Sequence, residues 1–230
     1  MDFVYICRDG DNEELKYSIR SVMASFADAK IWVVGGKPSW YTGNFIFVDQ
    51  VYRKYTNAIN NLNAICFSED ISETFVLMND DFYIVKKINS VEALHGGLLL
   101  NKINIYKEIN QESRYLIKLE QTFNKLIKLG IESPLDYELH VPMVMEKKKL
   151  KSVLKYATDT LWRSMYGNTF NVGGKEIVDV KFYVDGPLVA KSYDINNKDN
   201  DYLSSTDTSF QMLYSTILKE LFQSKSIYEK

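Results

Sequence analysis

The sequence predicts an α/β fold: a mixed, mostly parallel sheet flanked by helices, with a helical elaboration toward the C-terminus. Three observations carry that prediction. Apolar strand-like runs and helix-period segments follow one another as strand, helix, strand, strand, helix, strand within the first 80 residues, an order that needs parallel crossovers. Gly35, Gly36 and Pro38 close the second strand sharply. At 230 residues and 46% hydrophobic content the chain can bury a substantial core. No Pro/Gly/Ser-rich linker divides it, so residues 1–230 read as one domain.

Each element has a local reason. "DFVYIC" (2–7) reads as a short buried strand. Residues 13–26 set Leu15, Ile19, Val22 and Phe26 at helical spacing, with Glu13 and Glu14 in the first turn where the helix dipole favours acids. "KIWVVGG" (30–36), "NFIFVDQ" (44–50) and "TFVLM" (74–78) are further strands, and 56–67 places Ile59, Leu62, Ile65 and Cys66 on one helical face. "LHGGLLL" (94–100) reads as a turn feeding a strand. Residues 107–129 read as one long helix through Ile109, Leu116, Leu119, Phe123 and Leu126, ended by Gly130. Residues 132–150 read as a loop entering a basic helical stretch. A last helix, 206–222, would bury Phe210, Leu213, Ile217 and Leu221. "INNKDND" (195–201) is expected to be a mobile loop and the last few residues to fray.

Composition narrows the function classes. The net charge of −2 offers no global field for nucleic acid. Residues 101–155 nevertheless hold eleven Lys and Arg against seven Asp and Glu, so a local basic face is expected. Cys7 and Cys66 form no spaced pair and read as thiols in a reducing compartment. Neither a secretory signal nor an apolar run of membrane-spanning length is present, so a cytoplasmic location is expected.

The chemistry concentrates in "ETFVLMNDDFYIV" (73–85). Asn79, Asp80 and Asp81 interrupt two runs that both read as buried strands. Burying an uncompensated carboxylate costs several kcal/mol, so the pair needs either a solvated hairpin turn or a cation. At the carboxyl edge of an open α/β sheet, where such sheets bind ligands, Mg²⁺ or Mn²⁺ would suit it, because both ions take oxygen ligands and keep sites for substrate phosphates. Strand geometry would send Asn79 and Asp81 one way and Asp80 the other.

"RDGDNEELKYSIRS" (8–21), "IWVVGGKPSW" (31–40) and "FVLMNDDFYIV" (75–85), in that order, resemble the nucleotide-diphospho-sugar transferases of the GT-A fold. Within these the resemblance is to Stealth-type sugar-phosphate transferases and to glycosyltransferases encoded by bacteriophages. It is specific over residues 3–85 and thinner beyond. It implies a GT-A-like (Rossmann-like) domain whose residues 1–100 bind the nucleotide sugar and whose residues 101–230 face the acceptor. It also implies a nucleotide-sugar donor, a UDP-sugar first, with Mn²⁺ or Mg²⁺. Asp81 inherits the metal role, with Asp80 beside it as a catalytic carboxylate. Arg8, Asp9, Gly10 and Asn79 inherit donor contacts. In "LHVP" and "LWRSMYGN", His140 and Arg163 are implied active-site residues, as a catalytic group and a diphosphate contact respectively. The chain is shorter than Stealth proteins and reads "ICRDGDN" where they carry "TWVDGSD".

Bare chemistry leaves alternatives beside each role. His140 is a general base, a metal ligand, a phosphate contact or a structural imidazole. Arg163 is a diphosphate clamp or a structural ion pair. "STDTSF" (205–210) makes Thr206 or Asp207 a helix N-cap, or Asp207 a catalytic carboxylate, with Asp136 and Glu138 competing for that last role. Lys16 and Arg20 form a solvated face or a phosphate site. The five lysines of "EKKKLKSVLK" (146–155) form a solvated helix face or track a polyanion. The leading acceptor expectation is a hydroxymethylated pyrimidine in phage DNA, extracted from the stack onto aromatics such as Trp162, Tyr166 or Tyr183. The alternatives are a capsular or surface-glycan glycosyl- or sugar-phosphate transferase, and a binding module without turnover.

Overall fold

The computed structural model describes residues 1–109, 113–184 and 200–230. In chain order the first half runs β1 (Asp2–Cys7), α1 (Glu13–Ser25), β2 (Lys30–Gly35), β3 (Asn44–Phe47), α2 (Lys54–Phe67), β4 (Thr74–Asn79) and β5 (Phe82–Ile84). Next come β6 (Leu94–His95), α3 (Leu99–Ile109), α4 (Arg114–Lys128), β7 (Met143–Glu146), α5 (Lys147–Leu154) and α6 (Trp162–Thr169). The chain closes with β8 (Lys175–Glu176), β9 (Lys181–Phe182), β10 (Tyr202–Ser205), α7 (Asp207–Ser209), a π-helical turn (Phe210–Tyr214) and α8 (Ser215–Leu221). They group into two units. The first comprises Met1–Val91, His140–Lys147 and Val180–Lys230, the second Glu92–Leu139 and Lys148–Asp179.

The first unit is built on a five-stranded sheet of order β3-β2-β1-β4-β7, parallel except for β7, which runs antiparallel to β4. Its central strands are apolar almost without interruption: Phe3, Val4, Tyr5, Val33, Val34, Phe75, Val76 and Leu77 are all fully buried. That pattern belongs to parallel strands covered on both faces. α1 lays Leu15, Ile19 and Val22 into this core, each contributing about 2 kcal/mol by burial. A helix this short is marginal alone, so the packing holds it. Its polar stripe fastens β5 to the helix: Ser18 donates to the Phe82 carbonyl, and Ser21 Oγ accepts from Ile84 N at 2.9 Å.

β5 does not pair with β4. It belongs to a second sheet of order β5-β10-β9, antiparallel to β10. The acidic stretch is therefore no hairpin turn: at Asp80-Asp81 the chain leaves one sheet and enters another. Register places Cys7 beside Gly35 and Ile6 beside Asn79, so β1, β2 and β4 end at one edge. Strand order reverses at β1, the topological switch where open α/β sheets bind ligands.

Several expectations need correction. The helix expected over 107–129 begins at Arg114, where Ser113 caps it by accepting from Leu116 N at 3.1 Å, and α3 precedes it as a separate helix. Residues 110–112 lie outside the described set, as do 195–199 of the expected mobile loop. "LHGGLLL" feeds a helix, not a strand, because Leu99 and Ile103 bury at helical spacing. The loop expected across 132–150 holds β7, whose backbone completes the sheet edge beyond β4. The C-terminal helix buries Phe210, Tyr214 and Leu218, leaving Leu213 and Leu221 exposed. Its π turn carries one extra residue, which rotates the following face away from the simple period. The last residues are fastened, not frayed: the Arg20 guanidinium holds the buried Glu229 carboxylate by two bonds of 2.6 and 2.8 Å, and Lys230 N donates to the Trp40 carbonyl at 2.9 Å.

The second unit packs α3, α4 and α6 beside the small parallel pair β6-β8. Asp136 and Arg163 are buried within it, with Lys102 and Glu138 half-buried beside them. No helix among the described residues is long and apolar enough to cross a membrane. Cys7 and Cys66 are thiols with no disulfide between them.

Candidate active site

A cavity of about 420 Å³ opens in the first unit at the edge where β1 and β4 end. Arg8, Glu14, Asp80, Asp81, Lys181 and Asp207 supply its charged wall, with Lys54 from the start of α2. Asn79 lines it as the last residue of β4. These residues lie up to 199 positions apart in sequence, and the two sheets bring them together.

Gly35 and Gly36 make room behind the cavity. Gly35 has φ +115°, and a Cβ there would meet the Cys7 carbonyl oxygen at 2.2 Å. That conformation and that approach both require glycine.

The two carboxylates of the acidic turn have different keepers. Asp80 accepts a hydrogen bond from Asn12 Nδ2, while the other end of the same amide, Asn12 Oδ1, caps α1 by accepting from Leu15 N at 3.1 Å. Asp81 Oδ2 accepts from Lys181 Nζ at 2.6 Å and from Ser204 Oγ at 3.3 Å. Asp81 Oδ1 is buried with no hydrogen-bond partner. All three residues of the acidic stretch, Asn79, Asp80 and Asp81, line the one cavity.

Negative charge dominates the wall. Burial pushes the Glu14 carboxyl up to about 7, aided by the charges of Asp80, Asp81 and Asp207 and opposed by a hydrogen bond from Ser205 Oγ at 3.1 Å. Burial, then the neighbouring Asp81, raises the Asp80 carboxyl above the usual range, against the bond from Asn12 and the charge of Arg8. Arg8 joins the two rims: its Nη2 lies 3.0 Å from Asp207 Oδ1 and 3.9 Å from Glu14 Oε2. The N-cap of α7 is Thr206, closed by a reciprocal bond with Ser209, which leaves the Asp207 carboxylate to Arg8.

Other expected site residues lie elsewhere. Asp9 and Gly10 are exposed beside Arg8 and do not line the cavity. Gly10, at φ +113°, adopts a conformation that favours glycine. His140 is not in the lining, although its ring meets Phe82 edge-on with centroids 6.1 Å apart, one residue beyond Asp81. Arg163 is buried in the second unit, where Nε donates to the Tyr137 carbonyl at 3.0 Å. Burial lowers its pKa and the nearby Glu138 charge opposes that. Asp136 is held by Lys102 at 2.9 Å, and Glu138 accepts from Ser164 N at 2.8 Å, so both carboxylates serve that interior. Tyr166 is buried and packs on Phe170, and Trp162 lies beneath the Arg163 guanidinium. Arg20 is committed to Glu229, and Lys16 lies over Trp40. Tyr183 is half-buried.

The residues that sequence reasoning missed are Asn12, Glu14 and Lys181. "DNEEL" carries the signature of a capped helix start, which hid the second bond of Asn12 and the inward face of Glu14. Lys181 lies 100 residues from its partner and has no sequence signal.

The carboxylates of this wall offer the oxygen ligands that a hard divalent cation takes, and the unpartnered Asp81 Oδ1 is an acceptor in want of one. Among the described residues no three His, Cys, Asp or Glu side chains converge into a complete ligand set. Asp80 and Asp81 would therefore be the protein's share of a site completed by substrate oxygens, as is usual for Mg²⁺.

The sequence matches no protein-family model and no curated protein. Solved structures match across nearly the whole chain. The galactosyltransferase LgtC, crystallised with donor and acceptor sugar analogues, superposes over 98% of this chain and 96% of its own, with a TM-score of 0.53 and 11% identity. The fold is GT-A. An active-site mutant of the same enzyme gives the same coverage, a TM-score of 0.50 and 12% identity. At such identity the likeness establishes the GT-A architecture alone, with its mostly parallel sheet and flanking helices.

Proposed function

We propose that the protein is a glycosyltransferase that takes a nucleotide sugar as donor and passes the sugar to an acceptor hydroxyl. The observation that carries this reading is the acidic turn itself: within a GT-A fold, Asp80 and Asp81 line a cavity at the sheet's switch point with one carboxylate oxygen unsatisfied. The donor and acceptor sugar analogues held by the LgtC structure support it.

In this reading Asp81, with Asp80 beside it, holds Mn²⁺ or Mg²⁺. When bound, the ion neutralises charge on the departing nucleotide diphosphate. Arg8 reaches a phosphate from the cavity rim, and Asn79, Asp9 and Gly10 contact the nucleoside end, a uridine diphosphate sugar being the first candidate. Asp207 and Asp80 are the lining carboxylates that can orient or accept an acceptor proton, and His140 acts through Phe82 on the turn's position. Arg163 is left to the interior of the second unit. Residues 1–230 serve as one transferase domain, with Lys181 and Ser205–Asp207 joining the donor half that sequence limits to 1–100.

For the acceptor we propose a hydroxymethylated pyrimidine in phage DNA. The second unit supports this with a basic depression of about 430 Å³, where Lys125 and Lys155 flank the Tyr156 ring at 4.3 and 4.9 Å and Lys128 adjoins. Phosphate contacts of that kind weaken steeply with salt. A saccharide acceptor is the second reading, favoured by the acceptor sugar analogue in LgtC.

The test is a thermal-shift panel of nucleotide sugars with and without Mn²⁺, since a ligand that binds only the native state raises apparent stability. One donor should respond, only with metal, and Asp81→Ala should abolish the response. No response to any donor with Mn²⁺ would overturn the reading. Salt-sensitive retention of modified DNA would favour the DNA acceptor over a saccharide. A product that keeps a phosphate would identify sugar-phosphate transfer, and donor binding without turnover a binding module.

A further inference from the structure

Lys181 stands beside the carboxylate proposed to hold the metal. β9 pairs with β10 so that Lys181 lies beside Ser204, and β10 pairs with β5 so that Ser204 lies beside Phe82. The small sheet thus delivers a lysine to the residue preceding Phe82. Its ammonium lies 2.6 Å from Asp81 Oδ2, and the two side chains are only 15% and 14% exposed. Both line the cavity. Ser204 Oγ occupies the same oxygen, while Oδ1 of the same carboxylate has no partner.

A divalent ion taken up by Asp81 would sit next to this ammonium. Like charges at such range repel, and more so where both side chains are largely shielded from water. Each cation therefore weakens the carboxylate's hold on the other.

We propose that Lys181 is an internal competitor for the metal at Asp81: its ammonium holds the carboxylate until a divalent ion displaces it, and the released ammonium then meets the donor's diphosphate. Loading the ion and freeing the lysine become one event. The ion-free protein keeps its acidic turn paired, and the phosphate-binding charge is presented only when the metal is in place. This rests on the metal part of the proposed function.

The test is Mn²⁺ binding to the full chain, followed by loss of the free-ion EPR signal, for the parent, Lys181→Met and Lys181→Arg. Lys181→Met should bind Mn²⁺ at least tenfold more tightly than the parent, and Lys181→Arg no more tightly. With Mn²⁺ saturating, inorganic pyrophosphate should bind Lys181→Met at least tenfold more weakly. Opposite signs for the two ligands separate competition from damage, because a distorted site would lose both. The double variant Asp81→Asn/Lys181→Met, which removes both charges, should fold and bind no Mn²⁺. If the parent binds Mn²⁺ and Lys181→Met binds it no more tightly, the competition is refuted while the metal site stands. If neither binds Mn²⁺, the metal assignment falls and the inference with it.

Discussion

Replacing Glu14 by Gln should stabilise the ligand-free protein above neutral pH. The carboxyl is buried among Asp80, Asp81 and Asp207, and its pKa is raised from an ordinary 4.5 to about 7. The sign follows from proton counts. Between those values the folded chain holds more protons at this position than the unfolded chain, so stability falls as pH rises through the window. At ~1.36 kcal/mol per pKa unit, the full rise corresponds to a penalty of about 3 kcal/mol at pH 8. The cavity is open to water, so about 2 kcal/mol is expected. Gln keeps an oxygen for the Ser205 hydroxyl and removes the charge. Urea denaturation in EDTA at about pH 5 and about pH 8 measures this. The parent should lose stability between the two, and the variant should lose about 2 kcal/mol less. A variant less stable than the parent at pH 8, or an unchanged pH slope, would refute the picture of four crowded carboxylates.

Further consequences can be measured separately. Asp81→Ala should lower nucleotide-sugar turnover by at least about a hundredfold, as loss of a group that positions transition-state charge does, while the thermal midpoint measured in EDTA shows whether the fold is kept. Glu229→Ala leaves the Arg20 guanidinium without its buried partner and should cost about 3 kcal/mol in chemical denaturation. Gly35→Ala drives a Cβ into the Cys7 carbonyl oxygen at a backbone angle unsuited to alanine, and soluble yield should collapse. Thr206→Ala removes the cap of α7 and should cost about 1 kcal/mol.

Much of the first unit could be read from the chain because its signals are local. Continuous apolar runs mark strands covered on both sides, and Leu15, Ile19 and Val22 mark the face α1 buries. The acidic turn was legible for a related reason: two adjacent carboxylates between buried strands demand a compensating partner. The identity of that partner was not legible. Lys181 reaches Asp81 through two strand pairings that no local pattern encodes. Asp136 and Glu138 illustrate the opposite failure. As isolated acids they resemble catalytic candidates, and only Lys102, Ser164 and the backbone around them show that they hold an interior together. β7 was hidden because four residues beside a proline and a lysine run carry too little periodicity to separate a strand from the start of a helix. The phase of the C-terminal helix was lost to a single extra residue in its π turn.

Because β4 and β5 part company at Asp80-Asp81, the motif is a seam between two independently registered layers. A peptide spanning residues 1–91 would carry every letter of the acidic signature yet lack Lys181 and the Tyr202–Asp207 segment that borders it. Fragments chosen by motif alone should therefore be inert, and any ligand of the seam doubles as a gauge of whether both layers have assembled in step.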